Sequence, residues 1–200
     1  MLKGAKVTVN ELKIGFGSIK IGMQELLFSQ RKTRSSIINK GSLYLGSNIS
    51  IYCGFCCTIT KTGKLYLGNN TKFGSNSKIV CMKEITVCDF TRFAFECLIF
   101  DTNFHYIENI EEKNHNQIAK NITINKFCWI GSRTIINSGT ILPSNTIVAS
   151  SSLLNKDYSV LIQENSLLAG IPAKFIKTGV RRIWNTDLEN ELIGGENLSW

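Results

Sequence analysis

From Ile118 onward every sixth residue is aliphatic: Ile118, Ile124, Ile130, Ile136, Leu142, Val148 and Leu154. Four places after each, from the second repeat on, stands a small residue: Cys128, Thr134, Thr140, Thr146 and Ser152. Both conditions return upstream. Leu67, Phe73 and Ile79 are followed by Thr71 and Ser77 in the small slot, and Val87, Phe93 and Ile99 by Thr91 and Cys97. The two upstream sets are offset at Lys83 and Glu84, and a weaker set begins at Leu45 and Ile51. A six-residue step walks around a helix of 3.6 residues per turn, so a helix cannot carry this pattern. A strand keeps such residues on one face, but a single strand of this length is far outside the usual range. Short strands joined by tight corners remain, three of them closing a coil of about eighteen residues. The expected fold is therefore all-β, a parallel β-helix of hexapeptide repeats. Ile118 is expected to stack on Ile136 and Leu154, and Ile124 on Leu142. Backbone bonds then run between coils, so only the ends of the prism need capping.

The flanks fit that need. Residues 1–40 have a different texture and are expected to cap the first coil; the repeats occupy 41–178, with a loop insertion at 101–117. Residues 179–200 are expected to form a short helix and tail, because Thr186 and Glu189 have capping-box spacing and Gly194 provides a stop. The chain is 43% hydrophobic and 19% charged, enough for a packed core. No apolar run approaches the length of a membrane span, and charge interrupts the first fifteen residues too often for a signal peptide. A cytoplasmic protein is the expectation. Seven cysteines in such a chain are expected to be reduced and buried as small hydrophobes. Cys53, Cys56 and Cys57 lack a second pair at ligand spacing and a nearby histidine, so no metal is expected. The net charge of +8 suits an anionic ligand. No nucleic-acid motif accompanies it, and basic residues cluster only at Arg31–Arg34 and in "VRRIW".

Between Ile99 and Ile118 the period fails, and "FDTNFHYIENIEEKNHNQ" fills the gap. Loops of this length within a repeat array are usually either functional or floppy. The chain has two histidines, and both lie here. An imidazole has the near-neutral pKa that proton removal from a hydroxyl requires. His105 is the candidate base, with Asp101 and Asn103 beside it to orient the ring. His115, in the charged "EEKNHNQ", reads as exposed loop.

The segment "ITINKFCWIGSRTIINSGTILPSNTIVASSSLLNKD", followed by "LLAGIPAKFIK", resembles the left-handed β-helix hexapeptide-repeat acyltransferases, and more narrowly the sugar O-acetyltransferases of the surface-polysaccharide type. The resemblance spans about residues 41–185. It implies the left hand of the coil, against the usual right-handed crossover. It also implies a homotrimer with active sites between subunits, acetyl-CoA as donor and a sugar or glycan as acceptor. His105 matches the family's catalytic histidine, and the acceptor oxygen would attack the thioester directly, with no acyl-enzyme. The family's usual D-x-D-x-H has aspartate where Asn103 stands, which favours Asp101 for orientation. Glu96 and Asp101 would bond the acceptor. For the donor, the resemblance implicates Gly131 and Ser132 after Trp129, Ser150, Asn155 and Lys156, the backbone of Ala169 and Gly170, and Lys174 and Lys177 against the phosphates. Trp129 either packs or touches ligand.

Within enzymes the alternative is an N-acetyltransferase acting on an amino-sugar nucleotide; outside them, a non-catalytic β-helix scaffold. Serine O-acetylation is not the expectation, since that branch normally carries a long helical N-terminal domain. The γ-type carbonic anhydrases need three zinc-binding histidines, which two cannot supply.

Overall fold

The small slot explains how this chain turns. Thr71, Cys97, Thr140, Thr146, Ser152 and Ser166 each donate to the carbonyl three residues back, at 2.7–3.4 Å. Each bond satisfies a carbonyl that the corner has removed from the sheet ladder, and only a short polar side chain can reach it. The corners also need left-handed backbone. Asn48, Asn70, Asn145 and Asn165 supply it at one edge, and Asn76, Glu96, Arg133 and Ser151 at another, all with φ between 52° and 61°. Asparagine tolerates that region best among residues with a Cβ. Phe90 and Phe127 adopt it as well, at 58° and 60°, and their rings stack 4.9 Å apart across adjacent coils.

The computed structural model describes residues 5–9, 18–24, 33–185 and 187–188. Its strands form three faces of a prism. The first comprises Lys6–Val9, Ser42–Leu45, Lys64–Leu67, Glu84–Val87, Ile122–Ile124 and Ile141–Leu142. The second comprises Ile19–Met23, Ile49–Tyr52, Lys72–Phe73, Arg92–Phe93, Trp129–Ile130, Ile147–Val148, Ser166–Ala169 and Lys174–Thr178. The third comprises Ser36–Asn39, Cys56–Ile59, Lys78–Cys81, Leu98–Phe100, Ile135–Ile136 and Leu153–Leu154. All neighbours on these faces run parallel except the last pair on the second. The aliphatic residue of each repeat points inward and is fully buried, and Phe55, Phe73 and Phe93 form an aromatic column with centroids 5.5 and 4.5 Å apart.

Stacking follows the expected register where the coils are regular. Ile124 lies on Leu142 and Ile136 on Leu154. Ile118 does not lie on Ile136; that place belongs to Ile99. The chain leaves the third face after Phe100 and rejoins the prism on the first face at Ile122. Ile118 therefore belongs to the neck of the loop, and its hexapeptide spacing from Ile124 carries no structural meaning.

The described parts of residues 1–40 are strands of the same prism, in register with Ser42–Leu45, Ile49–Tyr52 and Cys56–Ile59. At the other end Lys174–Thr178 turns back antiparallel on Ser166–Ala169, and Ala173 is buried with its carbonyl accepting the Tyr158 hydroxyl at 3.2 Å. Gly170 makes this reversal at φ +103°, a conformation side chains resist. Asp187 and Leu188 are helical and donate their N–H groups to Asn185 Oδ1, so the cap of this turn is Asn185. Thr186, Glu189 and Gly194 lie outside the described residues, as does the expected helix beyond them. No described helix is long and apolar enough to cross a membrane.

Candidate functional site

The loop that carries His105 is tied at its neck and open beyond it. Thr102 bridges Ala119, the Asn103 N–H and the Thr102 hydroxyl both donate to the Ile118 carbonyl at 3.0 Å, and Lys120 N–H donates to the Asp101 carbonyl. Further out, Glu108–Asn109 pairs antiparallel with Asn114–His115. His105 sits between neck and ladder, exposed, and its ring has no hydrogen-bond partner among the described residues.

Asp101 does not serve it. Its side chain is fully buried, and its two oxygens accept the N–H groups of Met82 and Lys83, each at 2.7 Å. Burial raises the carboxyl above its ordinary range, and the backbone bonds pull the other way. The expectation that Asp101 orients the histidine and touches the acceptor is thereby corrected. Its carboxylate locks the corner of the preceding coil beneath the loop. Asn103 is exposed and stands two residues before His105.

Glu96 lies at another edge. Its Oε2 accepts from Arg133 Nε at 2.8 Å, at the corner between the second and third faces, whereas the loop springs from the corner between the third and first. Gly131, Ser132 and Ser150 share the corner of Glu96. A Cβ on Gly131 would come within 2.5 Å of the Ser150 nitrogen, so only glycine lets these coils stack. The carbonyl of Ser132 accepts from Ser151, while its N–H has no partner among the described residues. Asn155 and Lys156 sit at the loop's own edge, and the Lys156 ammonium lies 6.0 Å from the Tyr158 ring. Ala169 ends the last parallel strand of the second face, and Gly170 follows it at the end of the prism. The Gly170 N–H donates to Ser152 Oγ and its carbonyl accepts from Leu153, so both groups close the end of the prism. Lys174 and Lys177 are exposed on the last strand.

A groove of about 620 Å³ runs along the second face. Its floor includes Lys72, Arg92 and Trp129, which are register neighbours on the outward side, and it reaches Ser132 at the corner. Arg181, Arg182 and Ile183 form one wall. The wall is held by Trp184, whose ring lies 5.4 Å from the Arg92 guanidinium, 4.8 Å from that of Arg182 and 5.9 Å from the Phe127 ring. Four cations thus converge on one groove beside an exposed indole. Lys72 and Arg92 were missed by sequence reasoning. Each directly precedes an inward phenylalanine, Phe73 or Phe93, and that outward slot is the signal that aligns them with Trp129.

The cysteines divide by direction. Cys56 is exposed; Cys53, Cys57, Cys81, Cys97 and Cys128 are buried. Burial pushes Cys57, Cys97 and Cys128 to about 12 and Cys81 higher still. None of these four thiols can supply a thiolate near neutral pH. Among the described residues no three His, Cys, Asp or Glu side chains gather as a metal site.

No protein-family model and no curated protein matches the chain. Solved structures do resemble it. A point variant of AntD, an N-acyltransferase from Bacillus cereus in complex with dTDP-4-amino-4,6-dideoxyglucose and coenzyme A, aligns with a TM-score of 0.63 at 17% identity, covering 94% of this chain and 90% of that one. The polySia-specific acetyltransferase NeuO aligns with a TM-score of 0.56 at 17% identity, over 90% of each chain. A maltose O-acetyltransferase from Clostridium difficile 630 aligns with a TM-score of 0.53 at 19% identity, over 67% of each. What this chain shares with these transferases is the fold, a left-handed parallel β-helix.

Proposed function

We propose that this protein is an acyltransferase that moves an acetyl group from acetyl-CoA to a sugar hydroxyl, with His105 as general base. The observation that carries the reading is the exposed imidazole of His105, without a hydrogen-bond partner among the described residues, on a loop springing from a prism of the fold those acyltransferases share. The donor groove on the second face supports it: Lys72, Arg92, Arg181 and Arg182 suit the phosphates of coenzyme A, and Trp129 and Ser132 lead toward its thioester end. In the reaction His105 takes the acceptor hydroxyl proton as the oxygen attacks the thioester carbonyl carbon. The C–S bond then breaks, and coenzyme A leaves as a thiolate that regains the proton from the imidazolium. The Ser132 N–H, which has no partner among the described residues, would stabilise the oxyanion in this reading.

His105 and the Glu96–Ser132 corner lie on different edges of one prism. A second copy packed alongside would bring the missing edge to each, which favours a homotrimer with sites between subunits. We place the enzyme in the cytoplasm, where acetyl-CoA is made, working on surface-polysaccharide precursors. The likeness to AntD, solved with an amino-sugar nucleotide, favours a second reading: N-acylation of such a nucleotide by the same donor and base. The test is a thermal shift with acetyl-CoA against adenosine 3′,5′-bisphosphate, followed by thiol release with sugar and amino-sugar acceptors. A donor that binds the folded state raises the melting temperature. Donor-dependent thiol release that vanishes in His105→Ala supports the enzyme. No shift at millimolar donor returns the chain to the scaffold reading.

A further inference from the structure

The second histidine lines a cleft of its own. The loop and the corner of the preceding coils border an open cleft of about 540 Å³, with Tyr106, His115 and Gln117 on one side and Thr62, Met82 and Lys83 on the other. The volume lies within the range of small-molecule sites. His105 does not line it, although Tyr106 is its sequence neighbour. The geometry points to a subsite for an acidic pyranose, a sugar ring bearing a carboxylate, as part of the acceptor. This inference rests on the reading of the protein as a sugar acyltransferase.

The walls match such a ligand group by group. The Tyr106 ring meets His115 edge-on at 4.9 Å and is 63% exposed, so a broad aromatic surface is available to the C–H face of a pyranose. Met82 extends that apolar side. Gln117 and the Thr62 hydroxyl offer hydrogen bonds to ring hydroxyls; Thr62 already donates to the Met82 carbonyl at 3.0 Å, which leaves its lone pairs to accept. Lys83 is exposed and has no ion pair among the described residues, so its ammonium is available to a carboxylate. The floor is rigid, because the Asp101 carboxylate holds the N–H groups of Met82 and Lys83. A sugar seated here is held at the root of the loop that carries His105, which suits a neighbouring residue of the same glycan for acylation.

Two histidines give two imidazole signals in the magnetic resonance spectrum, and His115→Gln assigns them. The full chain is titrated with sodium glucuronate, with glucose and with sodium acetate, at constant ionic strength. The expected result is a saturable shift of the His115 signal with glucuronate. Glucose and acetate each bind at least about tenfold more weakly, and Lys83→Ala weakens glucuronate about tenfold by removing a charged hydrogen bond. Equal shifts with glucose overturn the carboxylate assignment. A shift confined to His105 overturns the location, and no shift of either signal up to 100 mM overturns the subsite altogether. The readout needs neither donor nor turnover, so it fails independently of acyl transfer.

Discussion

The guanidinium of Arg92 lies 5.4 Å from the centre of the Trp184 ring, so a residue in the middle of the prism is tied to the segment that follows the last strand. That contact, with Arg182 at 4.8 Å and the centre of the Phe127 ring at 5.9 Å, fixes Arg181 and Arg182 as a wall of the second-face groove. A partly exposed cation–π contact contributes about 1 kcal/mol. Replacing Trp184 by alanine releases two such contacts and the wall with them. Calorimetric titration of Trp184→Ala with coenzyme A is expected to show about tenfold weaker binding. A change under twofold would mean that the wall does not hold the donor.

His105 contributes chemistry and little affinity if it is the base. His105→Ala is expected to lower kcat by about a thousandfold, within the range of general-base catalysis, while the donor dissociation constant stays within about twofold. Asn103→Ala is expected to cost about tenfold in kcat if the amide orients the ring, with the pH profile moved as well as lowered. Initial rates of thiol release across pH 6 to 9 measure both.

The prism was legible because its rule is local. An aliphatic residue, a small donor four places on and six residues per side define a coil, and Ile124 on Leu142 and Ile136 on Leu154 follow directly. Register across irregular coils is not local. Leu43, Leu65, Ile85 and Ile122 stack in one column although 22, 20 and 37 residues separate them, because corners and loops absorb the difference. For the same reason Ile118 was misplaced, and Lys72 and Arg92 were not seen to share a groove with Trp129. The loop that carries His105 was legible as a break in the repeat, and the chain does leave the prism between Phe100 and Ile122. The role of Asp101 was not: nothing in "FDTNFH" says that its carboxylate turns inward to Met82 and Lys83.

Removing that carboxylate tests its structural role. In Asp101→Ala the N–H groups of Met82 and Lys83 lose their acceptors inside the corner. Each unsatisfied buried group costs about 1–3 kcal/mol, and the relief of burying a charge offsets part of it, leaving about 2 kcal/mol. For a chain of this size the melting temperature falls by about 4–8 °C. Asp101→Asn keeps one acceptor oxygen and is expected to lose about half as much. If both variants melt like the parent, the two bonds are dispensable and the loop is held by its Thr102–Ala119 neck alone.

The buried thiols set an alkaline limit. Cys57, Cys97 and Cys128 have their pKa pushed from 9.0 to about 12 by burial. Between those values the folded chain holds the thiol protons more tightly than the unfolded chain. Stability therefore falls as pH rises through that window, and the contribution is complete below it. Cys97 and Cys128 occupy the small slot that Thr134, Thr140 and Thr146 fill elsewhere, and Cys97 makes the same bond to the carbonyl three residues back. The double variant Cys97→Thr, Cys128→Thr is thus expected to melt within about 3 °C of the parent at pH 7. From pH 9 to 11 the parent should lose several degrees more than the variant, as followed by circular dichroism. Parallel curves for the two proteins would show that other groups govern the alkaline transition.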